Sequence, residues 1–269
     1  MEDKSYIIAG GQRGSDRLKL MARVTWDISD YFLRSAGLRP GNRVLELACG
    51  NAEVTRRYFD QIMERNGEIL GVDFDEPKIK DAKELFKDET GKVIFEVSNV
   101  EQDDLSRYGK FDFIYCRLIF SHLRSPRALM DKLKMLLSDE GILAIEDVDF
   151  DGHVAYPENK AFNRYVEAYK ELGKARGADP LIGRKLPSML RSSGYDVQLI
   201  DCRCPAFLDG EGKHMVDVSF DLIGEGLVSN GIMSKDEHSE VHGKIVDFAN
   251  DPTTLISLPK IFQVSAKKK

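Results

Sequence analysis

Residues 44 to 52, Val-Leu-Glu-Leu-Ala-Cys-Gly-Asn-Ala, read as a buried strand that runs straight into a tight loop and a helix. In a sheet of alternating strands and helices, this first turn is where the linking part of a nucleotide lies. A pyrophosphate needs glycines in G-x-G-x-x-G spacing so that backbone amides can approach it. Within this stretch Gly50 is the only glycine, Ala48 and Ala52 flank it, and Glu46 would repel phosphate. The pattern suits a ligand that carries positive charge. Asp73 closes the next apolar run, 23 residues after Gly50. A carboxylate there accepts hydrogen bonds from both hydroxyls of a ribose, or it caps the helix that begins near Glu76.

Further polar groups fall at the ends of later strands. Arg117 follows the fourth strand and either pairs with a ligand carboxylate or lies on the surface. His122 opens the next turn, as a base or as a structural histidine, and Glu146, Asp147, Asp149 and Asp151 cluster after the fifth strand. Strand ends of this kind carry catalytic or orienting groups, and at least one of the four acids is expected only to cap a loop. The chain has neither a serine in G-x-S-x-G nor an H-E-x-x-H helix, so nothing points to an acyl-enzyme or a zinc hydrolase. Cys49, Cys116, Cys202 and Cys204 lack paired metal-ligand spacing and are expected as reduced thiols.

These residues need a scaffold that brings strand ends together. Leu20, Val24, Ile28 and Phe32 recur at every fourth position, one face of a helix that Gly37 and Pro40-Gly41 end. Strands are expected at 43–48, 68–73, 92–97, 111–116 and 141–148, alternating with helical patterns over 54–62, 79–86 and 129–136. After Asp149 the rhythm changes to helices over 159–176, 181–193 and 211–250, with strands at 195–204 and 260–266. The expected fold is α/β, a Rossmann-like doubly wound sheet of about seven strands, mostly parallel with the last antiparallel, plus a helical cap.

At 269 residues, of which 42% are hydrophobic, the chain can form one large core with a cap. Lysine plus arginine number 39 against 45 acidic residues, so 39 − 45 = −6, which argues against nucleic acid as a partner. No apolar run approaches the roughly 20 residues of a membrane span. Met1 to Ser5 lack the basic and apolar regions of a secretory signal, which makes the cytoplasm the expected location. The oligomeric state, monomer or homodimer, is left open.

With these motifs in order, residues 40–151 resemble the class I S-adenosyl-L-methionine-dependent methyltransferases, in particular small-molecule enzymes of the ubiquinone and menaquinone biosynthesis type. The resemblance rests on Val44 to Asn51, on Gly71-Val72-Asp73-Phe74, and on Val97-Ser98-Asn99-Val100-Glu101. It continues through Phe111 to Arg117, His122-Leu123 with Pro126, and Gly141 to Asp147. Ala48 and Ala52 depart from the family's usual glycines, and Asn99 stands where an acid is commoner.

The resemblance implies that Glu46 and the backbone of Ala48, Cys49, Gly50 and Asn51 pass beneath the methionine part while Asp73 holds the ribose. It implies Phe74 over the adenine, Asn99 at its amino group, Val100 offering a backbone amide, and Arg117 at the carboxylate. Tyr6 to Leu18, with Arg17, resembles a leader that closes over the cofactor. Three regions follow: 1–39 as leader and closing helix, 40–151 as cofactor core, and 152–269 completing the sheet with a cap at about 155–176 and 211–250. The implied reaction moves a methyl group to a small, partly hydrophobic acceptor oriented by His122, Asp147 or Asp149. Two other readings are an S-adenosylmethionine-binding protein without turnover and an NAD(P)-dependent oxidoreductase, against which the missing glycines argue.

Overall fold

The computed structural model describes residues 11–89 and 91–269. Helix α1 (Gly11–Ala36) leads into β1 (Arg43–Leu47), α2 (Glu53–Met63), β2 (Glu68–Asp73), α3 (Glu76–Leu85) and β3 (Val93–Val97). Then come β4 (Phe111–Arg117), α4 (Pro126–Leu136) and β5 (Leu137–Asp149). The chain continues through β6 (Ala155–Tyr156), α5 (Lys160–Ala175), α6 (Leu186–Ser192), β7 (Tyr195–Arg203) and β8 (Ala206–Phe207). It ends with α7 (Met215–Ser229), α8 (Lys235–Asn250), β9 (Leu255–Ser257) and β10 (Lys260–Lys268). Helix starts follow local chemistry. Asp75 accepts from the Lys78 amide at the start of α3, Asn159 from the Phe162 amide at α5, and Ser234 from the Glu237 amide at α8.

Seven strands form the main sheet in the order β3-β2-β1-β4-β5-β10-β7. Strands β1 to β5 pair in parallel, and β10 runs antiparallel to both β5 and β7. Strand order reverses between β1 and β4, and the crevice outside the carboxyl ends of such a pair is where doubly wound sheets bind ligands. Both faces of the sheet are covered. Leu45, Ile114 and Leu143 belong to one core cluster with α4 and α6, and Val44, Phe113 and Ala144 to another with α1 and α2.

A third cluster builds the cap from Phe162, Tyr165 and Leu172 of α5, Phe220 and Ile223 of α7, and Ile245 and Phe248 of α8. Helix α1 ties the cap to the sheet, because Arg13 pairs with Asp221 and Arg17 donates to the Ser219 hydroxyl. A small antiparallel sheet in the order β6-β9-β8 closes the cap's base. Its strands are two or three residues long, too short to leave a periodic pattern in the sequence. Glu146 is fully buried between the layers, where it accepts from Ser29 and Tyr115 hydroxyls and from Gln263 Nε2. It thereby links α1, β4, β5 and β10. No helix among the described residues is long and apolar enough to cross a membrane.

Candidate active site

A cavity of about 1460 Å³, counting the open solvent in its mouth, lies at the carboxyl ends of β1 and β4. Its floor is the loop after β1. Ala48, Gly50 and Ala52 adopt φ values of 55°, 56° and 62°. The two alanines thus hold the backbone that glycine would favour, a strain of order 1–3 kcal/mol per residue of the kind that concentrates at functional sites. The turn aims the Gly50 amide at Asp73 Oδ2, 2.9 Å away, while Asp73 Oδ1 accepts from the Asp75 amide at 3.0 Å. Burial pushes the Asp73 carboxyl above its ordinary range, against the pull of Lys78 and these two amides.

Glu46 is buried beneath the loop, and Oε2 accepts from the hydroxyls of Thr55 and Tyr58. Burial raises its pKa too, against the pull of these two hydroxyls and of Arg117. Asn51 is 4% exposed, and among the described residues its Nδ2 has no hydrogen-bond partner. Phe74, 40% exposed, stands on the cavity wall beside Asn99 and Val100. Asn99 Oδ1 accepts from the Glu101 amide, and its own amide donates to Asp103.

Two arginines reach the cavity. Arg117 donates from Nη2 to Thr25 Oγ1 at 2.6 Å, and Arg17, itself buried, donates from Nε to Ser219 Oγ at 2.9 Å. Neither forms an ion pair with a carboxylate among the described residues. Arg117 is half-buried and lies in the field of Glu46, whereas Arg17 is buried without an ion pair among the described residues, a costly arrangement that a ligand with an anionic group would relieve.

The sequence expectations divide here. Glu46, Ala48, Cys49, Gly50, Asn51, Asp73, Phe74, Asn99, Val100, Arg17, Arg117 and His122 all line the one cavity. Tyr6 lies outside the described residues. Asp147 and Asp149 are absent from the cavity lining. Asp147 is fully buried, where it accepts from the Ser121 and Val148 amides, and burial pushes it up to about 6. Asp149 is 1% exposed, pairs with Arg184, and accepts from the Asp151 amide. Both acids are therefore engaged in holding the segment after β5. His122 does reach the cavity, but burial, with Arg17 and Lys78 nearby, lowers its pKa to about 3. Such an imidazole stays neutral and is a poor general base near neutral pH.

The far wall was less legible. It comprises Val148, Phe150, His153, Tyr165, Tyr169 and Met215, together with Ser219 and Leu258. Tyr165, Tyr169, Phe162 and Phe220 all pack in the cap's core cluster, and the spacing suits all four alike to an apolar acceptor, but only the two tyrosines also line the cavity. Phe150 stacks on Tyr169 at 3.8 Å between ring centroids. His153 Nδ1 lies 3.2 Å from the Ser257 carbonyl, a bond that needs the proton on Nδ1, and burial pulls its pKa down to about 4.

A family model described as a methyltransferase domain matches residues 38–197, more than half of the chain. The chain belongs to that family. Its fold and family are those of the class I S-adenosylmethionine-dependent methyltransferases. Among curated relatives, the ubiquinone/menaquinone biosynthesis C-methyltransferase UbiE of Proteus mirabilis is 26% identical over 141 residues, covering 50% of this chain and 53% of that protein. A polyketide synthase-nonribosomal peptide synthetase, phmA of Phaeosphaeria nodorum, is 25% identical over 44% of this chain and 3% of its own length. The chain thus spans about half or less of these relatives.

Solved structures share the fold. The YcgJ protein of Bacillus subtilis superposes with a TM-score of 0.57 at 15% identity, covering 89% of this chain and 97% of that one. Coclaurine N-methyltransferase bound to N-methylheliamine and S-adenosylhomocysteine gives 0.54 at 14% identity, over 90% and 70% of the two chains. The [4+2]-cyclase SpnF gives 0.54 at 14% identity, over 90% and 81%.

Proposed function

We propose that the protein transfers the methyl group of S-adenosylmethionine to a small, partly hydrophobic acceptor held beneath the α5–α7 cap. One observation carries this reading. A single cavity is lined both by the loop after β1 with Asp73 and by the aromatic residues Phe150, Tyr165 and Tyr169. A bound sulfonium supplies an activated methyl group, so the chain needs no nucleophile of its own.

Its residues bind, align and exclude water. Asp73 takes the ribose hydroxyls with the acceptor capacity that Gly50 and Asp75 leave open. Phe74 covers the adenine, Asn99 and Val100 meet its edge, Glu46 and the loop face the methionyl amino group, and Arg117 takes the carboxylate. The cap shields the reacting centre, and His122 acts there as a neutral hydrogen-bonding group. An in-line displacement needs this alignment more than it needs an acid or base. The cap also narrows the acceptor, since a roofed cavity admits a small molecule more readily than a folded RNA or protein.

The fold alone does not fix the reaction, because a [4+2]-cyclase shares it. The deciding experiment incubates the protein with methyl-labelled S-adenosylmethionine and pooled small molecules, and separately with bulk RNA and intact proteins. Label transfer to a small-molecule pool with release of S-adenosylhomocysteine is the expected result. Transfer confined to RNA or protein overturns the acceptor class, and tight cofactor binding with no transfer to any pool favours a binding protein without turnover.

A further inference from the structure

Arg17 lines the same cavity as the loop after β1, Asp73 and Arg117. It rises from α1 toward the cap, and its Nε is taken by Ser219 Oγ on α7. That bond leaves the two terminal nitrogens of the guanidinium as an end-on fork, the geometry that grips a carboxylate through two parallel N–H···O bonds. Tyr165 of α5 lies within the field of Arg17 and beside Ser219, and all three line the cavity. The same lining holds apolar Met21, Phe150, Met215 and Val216, and His122, which also lies in the field of Arg17.

The cavity therefore offers two arginines, Arg117 near the Glu46 carboxyl and Arg17, which forms no ion pair with an acidic residue among the described residues. The amino acid part of the cofactor brings one carboxylate. Arg117, next to Glu46 and the strand ends, is placed for it; Glu46 feels its charge. Arg17 remains.

We propose that Arg17, with Ser219 and Tyr165, forms a second anion subsite, which binds a carboxylate on the methyl acceptor and makes an apolar-bodied carboxylic acid the preferred substrate class. This inference rests on the reading of the site as a methyl-transfer cavity. It assigns Arg17 to the acceptor and not to the cofactor, the role the sequence resemblance implied. Ser219 holds the guanidinium in plane, and Tyr165 donates its hydroxyl to the same carboxylate. An acceptor so held has its charged end at the α1–α7 junction and its apolar body against Phe150 and Met215.

The test uses the whole protein saturated with S-adenosylhomocysteine, and a matched pair of probes, 3-phenylpropionate and 3-phenylpropanamide. Calorimetry should give the carboxylate at least about tenfold tighter binding than the amide, the effect of one hydrogen-bonded charge pair. Arg17→Met should erase that preference while its affinity for S-adenosylhomocysteine stays that of the wild type. Equal binding of the two probes by the wild type overturns the inference, whether or not the variant folds; so does failure of the carboxylate probe to bind. A parallel loss of S-adenosylhomocysteine affinity in a folded Arg17→Met also overturns it and returns Arg17 to the cofactor. If the wild type fails to bind S-adenosylhomocysteine, the methyltransferase reading itself falls; if it binds and the probes are not distinguished, only the second subsite falls.

Discussion

Replacing Asp73 by alanine separates the cofactor's needs from those of the fold. A carboxylate has about four lone-pair positions, and the Gly50 and Asp75 amides occupy two of them. Two remain for the ribose hydroxyls. Hydrogen bonds to a charged group contribute roughly 1.5–3 kcal/mol each, so losing both costs about 3–6 kcal/mol of binding. At about 1.4 kcal/mol per factor of ten, that weakens affinity by about 10² to 10⁴. Folding should suffer far less. Burial holds the Asp73 carboxyl above its ordinary range, so the folded protein carries this charge at a cost that alanine removes, which offsets the two lost amide bonds. The assay is titration calorimetry with S-adenosylhomocysteine, beside denaturant unfolding of the same sample. A folded Asp73→Ala protein that binds within about threefold of the wild type refutes the assignment of Asp73 to the ribose.

Gly50→Val should abolish binding, since Gly50 has φ +56° and an added Cβ would stand 3.2 Å from Leu18 Cδ1; near-normal affinity would mean that this loop does not cradle the cofactor. Asp149→Ala should lower stability by about 1–3 kcal/mol through loss of the Arg184 and Asp151 bonds, and leave S-adenosylhomocysteine affinity unchanged by calorimetry. A marked drop in affinity would put Asp149 back in the site. His153 provides a pH test. Unfolded, it gains a proton below its ordinary value of 6.5, but folded only below about 4, so it costs stability as pH falls through that window. Between about pH 7.5 and pH 5, His153→Phe should therefore lose about 1–2 kcal/mol less stability than the wild type. Equal losses, measured by urea unfolding, would show that the imidazole is not held neutral.

That these residues would gather at one cavity was legible because they lie where strands end, and strand ends can be read from short apolar runs. Glu46, Gly50, Asp73, Asn99 and Arg117 each occupy such an end, and one sheet edge gathers them. The acids at the end of β5 resisted the same reading. That strand is buried on both faces through Val148, so alternation does not tell which side Asp147 or Glu146 takes. Their partners come from far away in sequence: Ser29, Tyr115 and Gln263 for Glu146, and Arg184 for Asp149. His153 was invisible for the same reason, since its orientation depends on Ser257, 104 residues later. The cap helices were foreseen as helices, but which of their aromatic residues face the cavity and which face each other is decided by packing. Ala48 and Ala52 look in sequence like lost glycines, and the structure keeps the loop by holding both at positive φ.

The most direct test of the two-sided cavity is a crystal structure with S-adenosylhomocysteine bound. The account predicts both ribose hydroxyls on Asp73, the adenine against Phe74 and Asn99, the carboxylate at Arg117, and the thioether sulfur turned toward Tyr165 and the cap. A nucleoside bound away from Asp73, or a sulfur that faces open solvent with the cap wall out of reach, would contradict it.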